Sequence, residues 1–278
     1  MAGKIEGQAG SVQGSRGTDA SLYERVRTLL GSTGVILPIG DVDHEIEGNT
    51  TFNTVGGLRA TFTYSKDITT WDVPPYLKGP GQVPIVTFDG VDERAITPDS
   101  TYWSRDDAGG ANGFSIGIWA NITNVASARC LMAKYDETGA EQREWIFFIN
   151  ANDTLRLFLY DESVDEAAYR DSDSAITMGS LRQFVATYDG RGSAAAADGI
   201  TLYEDGVVIA SSPSGLGSYA GMEDLAGVVS VGRNIGGTER WFPGEMAGGP
   251  LGPFFTQTEL SAATIASLYT LGKSALCL

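Results

Sequence analysis

Bond-breaking chemistry needs a nucleophile, base or acid held at a fixed spacing, and outside its carboxylates this chain offers little of either. Its single histidine, His44, stands between Asp43 and Glu45 with no nucleophile beside it. The sequence contains no Gly-x-Ser-x-Gly turn and no glycine-rich phosphate loop. Two carboxylates can cleave a glycosidic bond when they lie about 5 Å apart, and on a strand that requires alternate positions, which share a face. Glu162-Ser-Val-Asp-Glu166 has the wrong spacing and falls in an acidic loop, and Glu141-Gln-Arg-Glu144 fails in the same way. We therefore expect a protein without enzymatic activity. Aromatic rings are the other resource, because sugar rings stack on them. Trp119, Trp145, Phe158, Tyr160 and Tyr203 occupy strand-like stretches, where some side chains must point away from the core. Trp103 and Trp241, near predicted loops, are the pair expected to be exposed for sugar stacking.

The elements that must hold these residues are mostly strands. In Leu181-Arg-Gln-Phe-Val-Ala-Thr-Tyr-Asp-Gly190, Phe184, Ala186 and Tyr188 alternate with Gln183, Val185 and Thr187, the period of a half-buried strand. Gly199–Ser211 continues it as strand, turn and strand, with Asp205-Gly206 predicting a type I′ hairpin. Ala151-Asn-Asp153 predicts a second hairpin, between Glu144–Asn150 and Thr154–Tyr160. Further strands are read at Ile85–Gly90, Phe114–Asn121, Arg129–Tyr135 and Val228–Gly232, with a possible edge strand at Thr61–Tyr64. The prolines of Met246–Pro253 predict that the last strand is bulged or lies at an edge. Trp71–Gly81 is a stiff Pro/Gly-rich connection. Many short strands at such spacing predict an all-β, antiparallel two-sheet sandwich.

Two helices are expected as well. Thr18–Gly31 carries Leu22, Val26, Leu29 and Leu30 on one face and ends at Gly31. Ser261–Tyr269 is a short helix near the end. Residues 1 to about 18 are polar and Gly-rich, a segment that would not order by itself. The chain then divides into an arm and amphipathic helix (1–31), an irregular β-prone segment packed on the sandwich (32–83) and the sandwich itself (84–278).

With 278 residues, 42% of them hydrophobic, a sizeable core can be buried. The net charge of -16 argues against nucleic acid or an anionic membrane surface as a partner. Cys130 and Cys277 are too few for a disulfide framework, and free thiols are expected. No stretch approaches a membrane span, and the opening residues lack the apolar run of a secretory signal, so membrane insertion is not expected.

Phe88–Glu93, Phe114–Trp119, Met132–Asp136, Phe184–Gly190, Leu202–Ala210, Val231–Asn234, Phe242–Glu245 and Leu260–Tyr269 occur in an order that resembles the laminin-G-like branch of the concanavalin A-like lectin/glucanase jelly rolls, over residues 84 to 272. The resemblance implies two curved antiparallel sheets. Its glucanases carry a Glu-x-Asp-x-Glu strand that this chain lacks. In its calcium-binding members the ligands come from loops at one end of the sandwich. By position these would be Asp136, Asn234 and Glu239, with Asp89 and Asp92 as weaker candidates. A sandwich made in the cytoplasm without a signal, behind a polar arm, leads us to expect a virion surface protein, a phage or virus capsid decoration or head/tail appendage. Leu22, Val26 and Leu30 would then anchor it to capsid or other virion subunits, with homo-oligomers possible. The alternatives are a carbohydrate-binding host-attachment module, calcium-assisted or not, and, disfavoured, a glycoside hydrolase.

Overall fold

The computed structural model describes residues 16–39, 63–64, 83–91, 93–108, 110, 112–123, 127–216, 218–236 and 240–278. The polar arm up to residue 15, His44, the Trp71–Gly81 connection, Asp92 and Glu239 lie outside the described residues.

Two antiparallel sheets form the body. The first contains β1 (Val35–Ile36), β3 (Ile85–Asp89), β5 (Phe114–Ile122), β10 (Arg182–Tyr188), β11 (Ile200–Glu204), β12 (Val207–Val208), β15 (Pro243–Ala247) and β16 (Phe254–Thr256). Their order is β1-β16-β5-β10-β11-β12, and β15 joins β3 to the far end of β5. The second contains β2 (Thr63–Tyr64), β4 (Ala95–Thr97), β6 (Arg129–Asp136), β7 (Gln142–Ile149), β8 (Leu155–Asp161), β9 (Glu166–Ser172), β13 (Ser211–Leu216) and β14 (Val229–Val231), ordered β13-β9-β8-β7-β6-β14-β4-β2. The short strand read at Thr61–Tyr64 is thus present as β2, at an edge.

Local chemistry explains the turns. Asp205 and Gly206 have φ of 52° and 78°, so the β11–β12 hairpin closes through the two left-handed residues that a type I′ turn needs. Between β7 and β8, Asp153 takes φ 67° and the Asn150 N–H donates to the Thr154 carbonyl at 2.8 Å. The strand that runs into Met246–Pro253 departs from expectation. β15 lies between β3 and β5 and is neither bulged nor at an edge. Pro243 is its first residue, where a missing N–H is tolerated, and Pro250 and Pro253 fall beyond its end.

The inter-sheet core holds Phe114, Phe147, Phe184, Tyr188, Trp145 and Phe255. Phe255 stacks on Phe114 at 5.1 Å and on Trp145 at 5.4 Å. Trp103 sits in the same cluster, fully buried and edge-on to Phe255 at 5.6 Å. Its expected exposure is corrected here, because the loop that carries it folds inward and plugs the end of the sandwich, where the Trp103 carbonyl accepts a hydrogen bond from Trp145 Nε1.

The outer face of the first sheet is roofed by two helices, α1 (Arg16–Leu30) and α2 (Ala262–Leu276). Ser261 caps α2 by accepting from the Thr264 N–H at 3.2 Å. The helix runs past the expected end at Tyr269 because Leu271, Ala275 and Leu276 extend its buried face. Leu22, Val26 and Leu30 pack with Ile36, Trp119, Tyr203, Phe254 and the α2 side chains Ile265, Leu268 and Leu271. The anchor face expected to meet a partner is therefore consumed within the chain. A fully buried Leu contributes about 1.5–3 kcal/mol, a gain the helix makes on its own sandwich.

Candidate functional site

The second sheet's outer face has no helix over it among the described residues, and it carries its own aromatic cluster. Alternation along β8 sends Leu155, Leu157 and Leu159 into the core and Arg156, Phe158 and Tyr160 outward. Register then fixes the neighbours: Tyr160 lies opposite Ala167, Phe158 opposite Tyr169 and Arg156 opposite Asp171. Across the other edge Phe158 faces Ile146 and Arg156 faces Phe148.

Two register shifts in the β6–β7 pair complete the face. At the first, Leu131 and Met132 both reach the core while Cys130 and Ala133 stay outside. At the second, Glu144 is the extra residue. It turns inward with Trp145, and Arg143 moves outward beside Tyr135 and Tyr160.

The result is a row of nearly parallel rings. Phe158 stacks on Tyr169 at 5.4 Å and on Tyr160 at 5.9 Å, both with 20° between planes. Phe158 and Tyr169 are half-buried, whereas Tyr135, Phe148 and Tyr160 are buried at their edges. Guanidinium groups frame the rings. Arg156 lies 4.1 Å over Tyr169, Arg143 4.1 Å over Tyr160, and Arg240 5.6 Å from Phe148.

Each of these arginines meets a carboxylate. Arg156 grips Asp171 with two bonds of 2.5 Å, and Asn150 Nδ2 donates to the same carboxylate at 2.9 Å. Arg143 donates to Glu162 at 2.8 and 2.9 Å and to Asp165 at 3.0 Å, and pairs with Glu141 at 2.5 Å. Arg240 lies 3.6 Å from Glu137. The Tyr160 hydroxyl donates to Asp165, and this bond, with Arg143, holds the Asp165 carboxyl below its ordinary range. Burial pushes the Tyr135 phenol up to about 12. Chemically the face offers exposed ring surface edged by oriented donors and acceptors.

The residues expected from sequence are scattered. Of the five strand aromatics, Phe158 and Tyr160 are on this face, Trp145 is in the core, and Trp119 and Tyr203 lie beneath the helices. Trp241 is half-buried with Arg233 stacked 4.1 Å over it, one residue from Arg240. Asp136 and Asn234 approach each other through a bridge between Asp136 and Ile235. Both are engaged in closing that loop. Asp136 Oδ1 accepts from the Thr138 N–H at 2.8 Å and hydroxyl at 2.5 Å. Asn234 Oδ1 accepts from the Arg240 N–H at 3.0 Å, and its Nδ2 donates to Glu137 at 3.0 Å. Asp136 Oδ1 and Asn234 Oδ1 are thus each bonded within this loop, while Glu239 and Asp92 lie outside the described residues. Among the described residues no three His, Cys, Asp or Glu side chains converge to hold a metal.

Sequence reasoning missed Arg143, Arg156, Tyr169 and Asp171. The signal for three of them was present: Arg156-x-Phe-x-Tyr160 and Tyr169-x-Asp171 are period-2 polar and aromatic rows opposite apolar ones. Arg143 was hidden by the Glu144 bulge.

The family model described as the concanavalin A-like lectin/glucanases superfamily matches residues 94–248, more than half of the chain. The chain belongs to the concanavalin A-like lectin/glucanases superfamily. No curated protein matches it in sequence. Among solved structures, the binding domain of botulinum neurotoxin serotype G aligns at 12% identity with a TM-score of 0.53, over 87% of this chain and 51% of that one. The binding domain of Paraclostridial Mosquitocidal Protein 1 gives 12%, 0.52, 86% and 52%. Trypanosoma rangeli sialidase in complex with sialic acid gives 12%, 0.55, 93% and 38%. This superfamily member thus spans about half the length of the toxin domains and less of the sialidase, and at such identity the likeness is one of fold.

Proposed function

We propose that this chain is a non-catalytic carbohydrate-recognition module whose binding surface is the outer face of the second sheet. The observation that carries the reading is the half-buried Phe158–Tyr169 stack, edged by the Arg156–Asp171 pair, on the sheet face that no helix covers among the described residues. The apolar face of a sugar ring would lie on these rings, and its hydroxyls would meet Asp171, Asn150 and the guanidinium edges. The Asp171 carboxylate is held from several sides, so little ordering would be needed on binding. Structural neighbours support the reading by analogy: cell entry of botulinum neurotoxin type C depends upon interaction with two ganglioside molecules, and the sialidase was solved with sialic acid.

Absence of catalysis is supported by the carboxylates of the face, each met by a guanidinium, and by the burial of Glu144, whose carboxyl is pushed up to about 7 but is fully enclosed. Glycan-array binding by the full chain, lost by about tenfold or more in F158A or Y169A at unchanged melting temperature, is the expected result. Release of reducing ends from any bound glycan would overturn the non-catalytic part.

Within this reading the module is displayed on a virion, as a capsid decoration or head/tail appendage, and serves host attachment. What supports this is the polar leader ahead of α1 together with the acidic charge. Since α1 is built into the sandwich, attachment falls to residues 1–15. Deleting only those residues is expected to abolish co-sedimentation with particles while glycan binding persists; particle loading by the shortened chain would sink the idea.

A further inference from the structure

Resting on the glycan-binding reading, we infer that the face selects neutral sugars and rejects glycans ending in a carboxylate or sulfate. A guanidinium or ammonium with spare capacity is the strongest side-chain partner for an anionic sugar. On this face that capacity is taken up from within the chain. Arg143 is shared among Glu141, Glu162 and Asp165, Arg156 is held bidentately by Asp171, and Arg240 stands near Glu137.

Among the described residues, Arg143, Arg156 and Arg240 face the five carboxylates Glu137, Glu141, Glu162, Asp165 and Asp171, on a chain of net charge -16. An incoming anion would have to displace a carboxylate already bonded at 2.5–3.0 Å and would approach through a repulsive field. A neutral pyranose meets neither obstacle. Its C–H face lies against Phe158 and Tyr169, and its hydroxyls can donate to carboxylate lone pairs that the guanidiniums leave unused, which an anion cannot do. Specificity then comes from the paired charges acting as dipoles, with the rings supplying contact area. The solved neighbour that holds sialic acid shares the fold, and the charge arrangement here argues for the opposite preference.

The experiment uses the full chain against matched pairs of immobilised oligosaccharides, neutral and with a terminal sialic acid or sulfate added. Binding to the neutral member is expected to be at least about tenfold tighter and to change less than about twofold when salt rises from about 0.05 to about 0.5 M. The triple variant E141Q/E162Q/D165N, which removes all three carboxylates that Arg143 meets, is expected to gain binding to the charged member, with its melting temperature as the folding control. Preference for the charged member, or affinity that falls steeply with salt, would overturn the inference and leave the glycan-binding reading standing. Binding to neither member would remove that reading and the inference with it.

Discussion

Glu144 is a residue whose protonation depends on the fold. It is fully buried, 2.5 Å from Lys134 Nζ, and accepts from Ser104 Oγ at 3.2 Å and the Leu225 N–H at 2.9 Å. Lys134, equally buried, also reaches Asp99 at 2.9 Å. Burial outweighs the attraction of Lys134 and pushes the Glu144 carboxyl up to about 7 from an ordinary 4.5. A carboxyl whose folded pKa is raised holds its proton more tightly when folded. Its contribution to stability is complete below about pH 4.5 and is lost as pH rises through about 7. Denaturant titrations from pH 4 to 8 should therefore show a fall that E144Q flattens, by up to about 3 kcal/mol. E144A is expected to cost about 3–5 kcal/mol at neutral pH, because it leaves Lys134 buried without this partner. None of this was legible in Glu141-Gln-Arg-Glu144. The side to which Glu144 points is set by a bulge, and a bulge is decided by the partner strand.

At the scale of elements, the helices decide which sheet face can serve binding. α1 and α2 sit against Trp119, Tyr203 and Phe254, and Gly272 lets the helix backbone approach the Trp119 indole. A Cβ at that position would lie 2.6 Å from Cζ2 of an indole that already stacks on Tyr269 at 5.6 Å. G272A should thus destabilise by about 1–3 kcal/mol, despite alanine's better helix propensity, and a thermal melt would check it. L30A, at a fully buried site, is expected to cost about 2–5 kcal/mol, whereas F158A, on the half-open face, should stay within about 1 kcal/mol. Equal losses for the two would mean that the second face is a core and no binding surface. The amphipathic pattern of α1 was readable from Leu22, Val26 and Leu30. What those residues would meet was not, because apolar periodicity specifies burial and leaves the partner unnamed.

For the molecule as a whole, chemistry and composition agree. Cys130 is buried, with its thiol raised by burial, and Cys277 is exposed in the left-handed cap of α2; both are free. Thiol titration of the native chain should count one fast group, lost in C277S, and a second only after unfolding. Fast labelling of both would mean that the outer cluster around Cys130 opens readily. Among the described residues no helix is long and apolar enough to cross a membrane.

The sequence by itself determined the long alternating strands, the two hairpin turns and the sandwich class, because these depend on neighbours two to four residues apart; Glu166–Ser172, which reads as part of an acidic loop, is the strand β9 because its partners β8 and β13 pair with it. Only the tertiary structure decided that Trp103 is buried in the core, that α1 is a roof over its own sheet and that Arg156, Phe158, Tyr169 and Asp171 share the outer face of the second sheet. Such outcomes rest on contacts like the one from Thr256 Oγ1 to the Leu30 carbonyl, 226 residues apart in the chain. Strand alternation gives each strand two faces; which of them is left to solvent is settled by whatever distant segment packs there first with the larger apolar gain.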